Sequence, residues 1–372
     1  MRELMNGAEA ISRAALDCGC DFFAGYPITP ATPILLTMVR ELPIRGGIAV
    51  QAEDEIAAIG MCIGAVVGGR RAMTATSGPG ISLYSENLGL AIMGEVPLVI
   101  IDCQRMGPAT GAATTTAQGD IQFLRWGTSG GYPLIVLAPP DVEGCYHTTV
   151  EAFALAERFR TPVIVATDKE TVSTYATIEC ETLKPNMAVQ RPILPADVPY
   201  RIFDPQHLDN VLPLASMDTH ILRFNTSSHD PEGYLSKDPD RLSELNEHLE
   251  SKLLHHREEV ERYSYQPEND ASTLLISYGI AAGSMQAAAS QARKQGTVVS
   301  TLTLITLWPV PEDILESAMA EVSTVVVIEM NNGQYAREIE RLSRGRHEVL
   351  SVTSKNGLLI QPEAILQSGG VL

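Results

Sequence analysis

Short, unbroken apolar runs alternate with longer stretches of helical period through the first half of the chain. The runs "DFFAG", "GIAVQ", "AMTATS", "PLVIIDC", "PLIVLAP" and "TPVIVAT" are continuous and rich in β-branched residues, as strands buried on both faces are. Between them, "PATPILLTMVREL", "EDEIAAIGMCIGAVVG", "ISLYSENLGLAIMGE" and "DVEGCYHTTVEAFALAERF" predict helices. The pattern predicts a parallel sheet covered by helices, an α/β domain over residues 1–170.

From 171 to 270 the alternation fades. The stretch "LKPNMAVQRPILPADVPYRIFDP" is punctuated by prolines and predicts a segment wrapped over a surface. "DPDRLSELNEHLESKLLHHREEVERY" predicts one charged helix, with Leu242, Leu245, Leu249 and Leu253 as a narrow apolar stripe for packing or subunit contact. The pair His255-His256 has no partner that suggests a metal site. Alternation resumes with "STLLISYG", "GTVVSTLTLI" and "STVVVIEM", predicting a second α/β domain over 271–372.

Composition narrows the function classes. The 372 residues are 45% hydrophobic and 19% charged, an ordinary globular balance. A net charge of −18 argues against a nucleic-acid partner, which needs a basic patch. The longest apolar run, Ile56 to Gly69, is too short and too glycine-rich to span a bilayer. The N-terminus carries charge where a signal peptide needs an apolar core, so a cytoplasmic chain without a membrane is expected. The cysteines (Cys18, Cys20, Cys62, Cys103, Cys145 and Cys180) are scattered among apolar residues, and no C-x2-C spacing occurs. Neither an iron–sulfur cluster nor a bound metal is expected on this chain.

The chemistry gathers at strand–helix turns. No G-x-G-x-x-G or Walker sequence is present. "SGPGIS", Ser77 to Ser82, is a tight turn into a helix, which either turns the chain or offers amides to an anion. In "GYPITPATP" Pro27 and Pro30 fix φ, and Pro30 suits the first turn of a helix capped by Thr29. That turn presents Thr29 stiffly at the carboxyl edge of a strand, where open α/β sheets bind ligands. Glu53, Asp54 and Glu55 open a helix that is otherwise almost wholly apolar. The helix dipole accounts for one or two acids there. The third lies against Ile56, Ile59 and small residues, a setting suited to exchanging a proton with a heterocyclic nitrogen.

These segments, with "TSGPG", "QRMGPATG", "QGD" and the later "VIEMNNGQ", resemble the α subunit of 2-oxoacid:ferredoxin oxidoreductases, the 2-oxoglutarate type above all. The resemblance spans nearly the whole chain. It implies a thiamine-diphosphate-binding pyrimidine domain with a parallel sheet, followed by a C-terminal α/β domain like that of transketolase. It also implies oxidative decarboxylation of a 2-oxoacid, transfer of the acyl group to coenzyme A, and delivery of electrons to ferredoxin through iron–sulfur clusters. By position in the motifs, Glu55 is the carboxyl that hydrogen-bonds the cofactor's pyrimidine, and Thr29 and Arg105 are the catalytic residues that grip the substrate. The same matching gives Tyr26, Pro27 and Asn87 to the cofactor and Thr110 to the substrate. The polar segment "GPATGAATTTAQGD" has the character of a mobile loop over a substrate. Met106 and Ala112-Ala113 depart from the family's pattern there, which leaves branched-chain 2-oxoacids and pyruvate as alternatives to 2-oxoglutarate.

The family's G-D-G segment for diphosphate and Mg2+ is missing. A β subunit is therefore expected to bring diphosphate site, Mg2+ and a [4Fe-4S] cluster, in a dimer of heterodimers with γ and δ chains possible. Two other readings compete: a two-subunit thiamine-dependent decarboxylase without redox chemistry, and a structural subunit whose site has decayed. The second domain weighs against the former, and joint retention of Thr29, Glu55 and Arg105 against the latter.

Overall fold

The computed structural model of the chain describes residues 2–179, 181–183 and 190–369. Cys180 and the "KPNMAV" part of the proline-rich segment lie outside them. The strands are β1 Arg2–Asn6, β2 Phe22–Gly25, β3 Ile48–Gln51, β4 Ala72–Thr76, β5 Leu98–Gln104, β6 Ile135–Leu137 and β7 Val163–Asp168. They continue with β8 Tyr175–Glu179, β9 Tyr263–Gln266, β10 Thr273–Tyr278, β11 Val299–Leu304, β12 Thr306–Trp308, β13 Thr324–Glu329 and β14 Glu348–Thr353.

A seven-stranded sheet runs β12-β6-β7-β5-β4-β2-β3, parallel except for β12. Every residue of β4, β5 and β7 is buried, as their unbroken apolar runs require. Helices Glu55–Val67 and Ser85–Met93 pack on one face, and Gly7–Asp17, Thr32–Glu41 and Val142–Phe159 on the other. Fully burying side chains such as Val99, Ile100 and Ile101 stabilises the fold by about 1.5–3 kcal/mol each. The second sheet, β14-β13-β10-β11-β9, is parallel except for β9. The strands β1 and β8 form a separate antiparallel ribbon.

The two sheets are tied together. Strand β12 leaves the C-terminal half and pairs antiparallel with β6, at the edge of the first sheet. Trp308, within it, donates from Nε1 to the carbonyl of Ile121 at 3.0 Å. Leu302, Leu304 and Leu307 share one apolar core with Leu98, Ile100 and Val136.

The first sheet also splits at one place. Strands β2 and β4 pair only through Phe22–Ala72 and Phe23–Met73, while β2–β3 continues to Gly25–Gln51 and β4–β5 to Thr76–Asp102. Thr74 Oγ1 takes over beyond the split, donating to the Ala24 carbonyl at 2.7 Å and lying 2.8 Å from the Tyr84 hydroxyl. The helices after β2 and β4 pack on opposite faces, so the gap between these strands is the sheet's switch point.

Three expectations are corrected here. Thr29 does not cap a helix: the helix is Thr32–Glu41, its cap Ala31 makes no side-chain bond, and the proline in its first turn is Pro33. A separate turn closes first, the Thr32 amide donating to the Ile28 carbonyl at 2.9 Å, so the helix begins beyond Thr29. The long charged helix is two, Pro239–Leu254 and Arg257–Val260, because His256 turns back toward Phe159 and the Asp209 carbonyl. The loop after Arg105 is fastened at its end, with Thr116 and Gln118 buried at 3% and 1% exposure.

Helix Pro239–Leu254 packs Leu245, Leu249 and Leu253 inward. It also buries Lys252 and His248 against Glu95, at 3.0 and 3.1 Å.

Candidate active site

Four strand ends, those of β2, β3, β4 and β5, meet around the switch point. After β3, Asp54 caps helix Glu55–Val67 by accepting from the Ala57 amide at 2.7 Å. One of the three acids is thereby assigned to the helix. Glu55, the first helical residue, is turned inward and only 7% exposed. Its side chain packs against the turn after β4: a Cβ on Gly80 would collide with Thr76 Oγ1 and stand 2.9 Å from Glu55 Oε1. Among the described residues no hydrogen bond reaches the Glu55 carboxylate. A buried carboxyl normally has a partner, so this one is shaped for a donor from outside the chain.

Arg105 follows β5 directly and is 5% exposed. Its Nη1 donates to the backbone carbonyl of Thr29 at 2.6 Å, while its Nε has no partner. Thr29 itself is exposed at the tip of the proline turn. The structure thus brings Thr29 and Arg105 into direct contact.

Arg105 lines a cleft of about 700 Å³ between the two halves of the chain. Gly78, Pro79 and Asp120 form one wall; Asn331 and Lys355 form the other. Glu55 lies behind the Gly78–Gly80 turn, on the far side of that wall. The "EMNNGQ" segment clasps the cleft. Glu329 accepts from the amides of Tyr335 and Ala336, both at 3.0 Å, and from the Tyr278 hydroxyl at 2.8 Å. Asn331 donates to the Gln118 carbonyl at 2.7 Å and accepts from Gly333 and Gln334. Gln118 in turn donates to Tyr278 and accepts from the Met330 amide.

The other expected residues are placed less centrally. Tyr26, 39% exposed, and half-buried Pro27 follow β2 on the proline turn. Asn87 donates to the Ile56 carbonyl at 3.3 Å, one residue from Glu55. Thr110 is not brought to the cleft: Ala109 and Gly111 take left-handed φ of 53° and 50° and turn it outward to solvent.

Asp102 and Lys355 were not singled out in the sequence, and Gln118 and Asp120 entered only as the ends of "QGD", without a role. An aspartate inside the buried run "LVIIDC" was the one available signal, because a lone carboxyl there needs a partner. Among the described residues no cluster of side chains suits a metal ion, and no helix is long and apolar enough to cross a membrane.

Residues 13–229 match the family model described as pyruvate flavodoxin/ferredoxin oxidoreductase, thiamine-diphosphate-binding, and residues 271–365 match pyruvate:ferredoxin oxidoreductase core domain II. The split sheet over Glu55 and the second α/β domain are therefore those of a thiamine-diphosphate-binding oxidoreductase subunit. The 2-oxoglutarate synthase subunit KorA of Methanocaldococcus jannaschii is 38% identical over 98% of both chains. The ketoisovalerate oxidoreductase subunit VorB of Methanothermobacter thermautotrophicus is 34% identical over 98% of this chain and 96% of that one. A solved 2-oxoglutarate:ferredoxin oxidoreductase from Magnetococcus marinus, with 2-oxoglutarate, coenzyme A and succinyl-CoA bound, superposes with a TM-score of 0.88 at 30% identity. The match covers 98% of this chain and 64% of that one. A split-gene transketolase shares the fold, with a TM-score of 0.56 at 12% identity. The chain belongs to the 2-oxoacid:ferredoxin oxidoreductase family and is an alpha-type subunit.

Proposed function

We propose that the chain works as the alpha subunit of a CoA-dependent 2-oxoglutarate:ferredoxin oxidoreductase, with Glu55, Thr29 and Arg105 as its catalytic residues. The observation that carries the substrate is the cleft's two cations: Arg105 on one wall and Lys355 on the other suit an acid with a carboxylate at each end. A branched-chain 2-oxoacid or pyruvate would leave Lys355 without a counterpart.

The residues fit thiamine diphosphate. Glu55 offers a buried carboxyl without a protein partner, which suits a pyrimidine ring nitrogen; Asn87, bonded to the carbonyl beside it, and Tyr26 and Pro27 on the proline turn are taken as further contacts of the cofactor. When bound, the cofactor supplies the carbon nucleophile and the electron sink that the chemistry needs. Glu55 holds and returns a proton at the pyrimidine nitrogen. Arg105 binds the 1-carboxylate with its forked donors, and the Thr29 hydroxyl turns toward the 2-oxo group. The turn Gly78–Gly80 keeps water from the Glu55 carboxyl.

We assign diphosphate, Mg2+ and at least one [4Fe-4S] cluster to a β subunit in a dimer of heterodimers, with ferredoxin as a further partner and γ and δ chains as optional additions. CoA-dependent viologen reduction by the assembled complex, across a panel of 2-oxoacids, tests the reading. 2-Oxoglutarate should give the highest kcat/KM; a preference for 2-oxoisovalerate or pyruvate would overturn the substrate, and no CoA-dependent reduction would overturn the activity.

A further inference from the structure

Asp120 occupies the N-cap position of helix Ile121–Trp126, yet its side chain accepts no bond from that helix. An aspartate there ordinarily caps. Here its carboxyl faces Asp102, a fully buried residue in the middle of β5. Both Asp102 oxygens and Asp120 Oδ2 lack any donor among the described residues. Two carboxyls in that position are compatible only when one carries a proton and donates it to the other. Asp120 also lies beside Arg105, whose Nε is likewise without a partner, and it lines the cleft with it.

We propose that Asp120, paired with Asp102, is a positioning residue that holds Arg105 while the cleft is empty and takes up a proton when a substrate carboxylate occupies the guanidinium. The proposal rests on the reading of Arg105 as the carboxylate-binding group. Before binding, one proton is shared by the two aspartates, and the remaining negative charge offsets Arg105. The substrate brings a second negative charge to the same guanidinium. One proton from solvent then neutralises Asp120, so the buried site gains no net charge.

The electrostatics of the pair point the same way. Burial pushes Asp102 well above the usual carboxylate range, and the adjacent Asp120 pushes it further. Burial raises Asp120 to about 6, against the pull of Arg105 and of the Asp102 proton. The other groups facing the pair are few. Cys103 adjoins Asp102 on β5, with Asp168 beyond it on β7. Thr76, uncharged, sits opposite on β4, and Lys355 stands across the cleft. A carboxylate arriving at Arg105 weakens that residue's pull on Asp120, so the proton affinity of Asp120 rises on binding. Binding therefore strengthens as pH falls from the bound value toward about 6, by up to about tenfold per pH unit, and levels off below it.

The test uses the complex reconstituted with its partner subunits and thiamine diphosphate. The probe is 2-hydroxyglutarate, which keeps both carboxylates and has no carbonyl to react. Calorimetry near neutral pH, in two buffers of different ionisation enthalpy, should show uptake of up to about one proton per site. D120N should abolish the uptake and flatten the pH dependence of both the probe's Kd and the substrate's KM. D102N replaces the carboxylic O–H that donates to Asp120 with a weaker amide donor, so it should shift the window to higher pH, and it tests the idea even if D120N fails to assemble. No uptake by the wild-type complex, equal uptake in D120N, or an unmoved window in D102N overturns the proposal. Turnover of 2-oxoglutarate by the same preparation separates the two failures. If it turns over without proton uptake, this inference alone is wrong; if no 2-oxoacid turns over, the functional reading falls and takes this inference with it.

Discussion

Arg105 holds Thr29 by its backbone: Nη1 donates to the Thr29 carbonyl at 2.6 Å, and the threonine hydroxyl is left out of that contact. The proline turn and the end of β5 are thus fixed to one another by main chain on one side and guanidinium on the other. Two residues that work as a pair can therefore be altered separately.

Arg105→Lys keeps the charge but loses the fork, and one nitrogen cannot both hold the Thr29 carbonyl and grip a carboxylate bidentately. We expect kcat/KM to fall by roughly ten- to a hundredfold, about 1–3 kcal/mol, for 2-oxoglutarate and 2-oxoisovalerate alike. Steady-state kinetics on both acids decide it. Damage confined to the dicarboxylic acid would place Arg105 at the distal end.

Thr29→Val leaves the carbonyl anchor intact. Only the hydroxyl is lost, so the expected cost is about 1 kcal/mol, roughly fivefold in kcat/KM, with thermal stability unchanged. A melting-temperature drop with unaltered kinetics would show that the hydroxyl serves the fold.

Glu55→Gln keeps shape and hydrogen bonding but cannot exchange a proton. Turnover at saturating thiamine diphosphate should fall by about 10²–10⁴, while gel filtration shows an intact complex. Near-normal turnover would remove Glu55 from the chemistry and turn attention to Glu53.

Gly80→Ala would ordinarily favour a helix by about 1 kcal/mol. Here the added methyl meets Thr76 and the Glu55 carboxyl, so it should displace the glutamate and lower kcat by at least about tenfold. A gain in stability with full activity would mean that the turn can give way.

Lys252→Met leaves Glu95 buried without its main partner, and denaturant unfolding should show a loss of about 3–5 kcal/mol. Burial by itself would raise the Glu95 carboxyl, but Lys252, Arg160 and His248 outweigh that and hold it well below its ordinary 4.5. With the folded value depressed, the wild-type contribution is present above that pH and is lost as pH falls below it. Equal unfolding curves for wild type and variant would show that the cluster contributes nothing.

The parallel sheets were legible because a strand buried on both faces must be apolar throughout, as "LVIIDC" and "VIVAT" are. The burial of Glu55 was legible for the converse reason, a third acid where a helix end accounts for two. Strand β12 was not, because three residues following β11 carry no period of their own, and their partner β6 lies some 170 positions earlier. The Asp102–Asp120 pair was half legible: an aspartate inside the buried run signals that a partner is needed, but nothing in the "QGD" loop marks Asp120 as that partner. Thr29 read as a cap because its type and the following proline both fit one; the intervening Ile28–Thr32 turn, which moves the helix start to Thr32, has no signature of its own.

Strand β12 also bears on how such a chain could be divided. A break at the boundary between the two α/β halves would strand β6 with a bare edge, and open edges invite pairing with other chains. It would also part Gln118 from Tyr278 and Met330, unclasping the cleft. The two halves thus behave as one unit, since a cut between them leaves a bare strand edge and an open cleft.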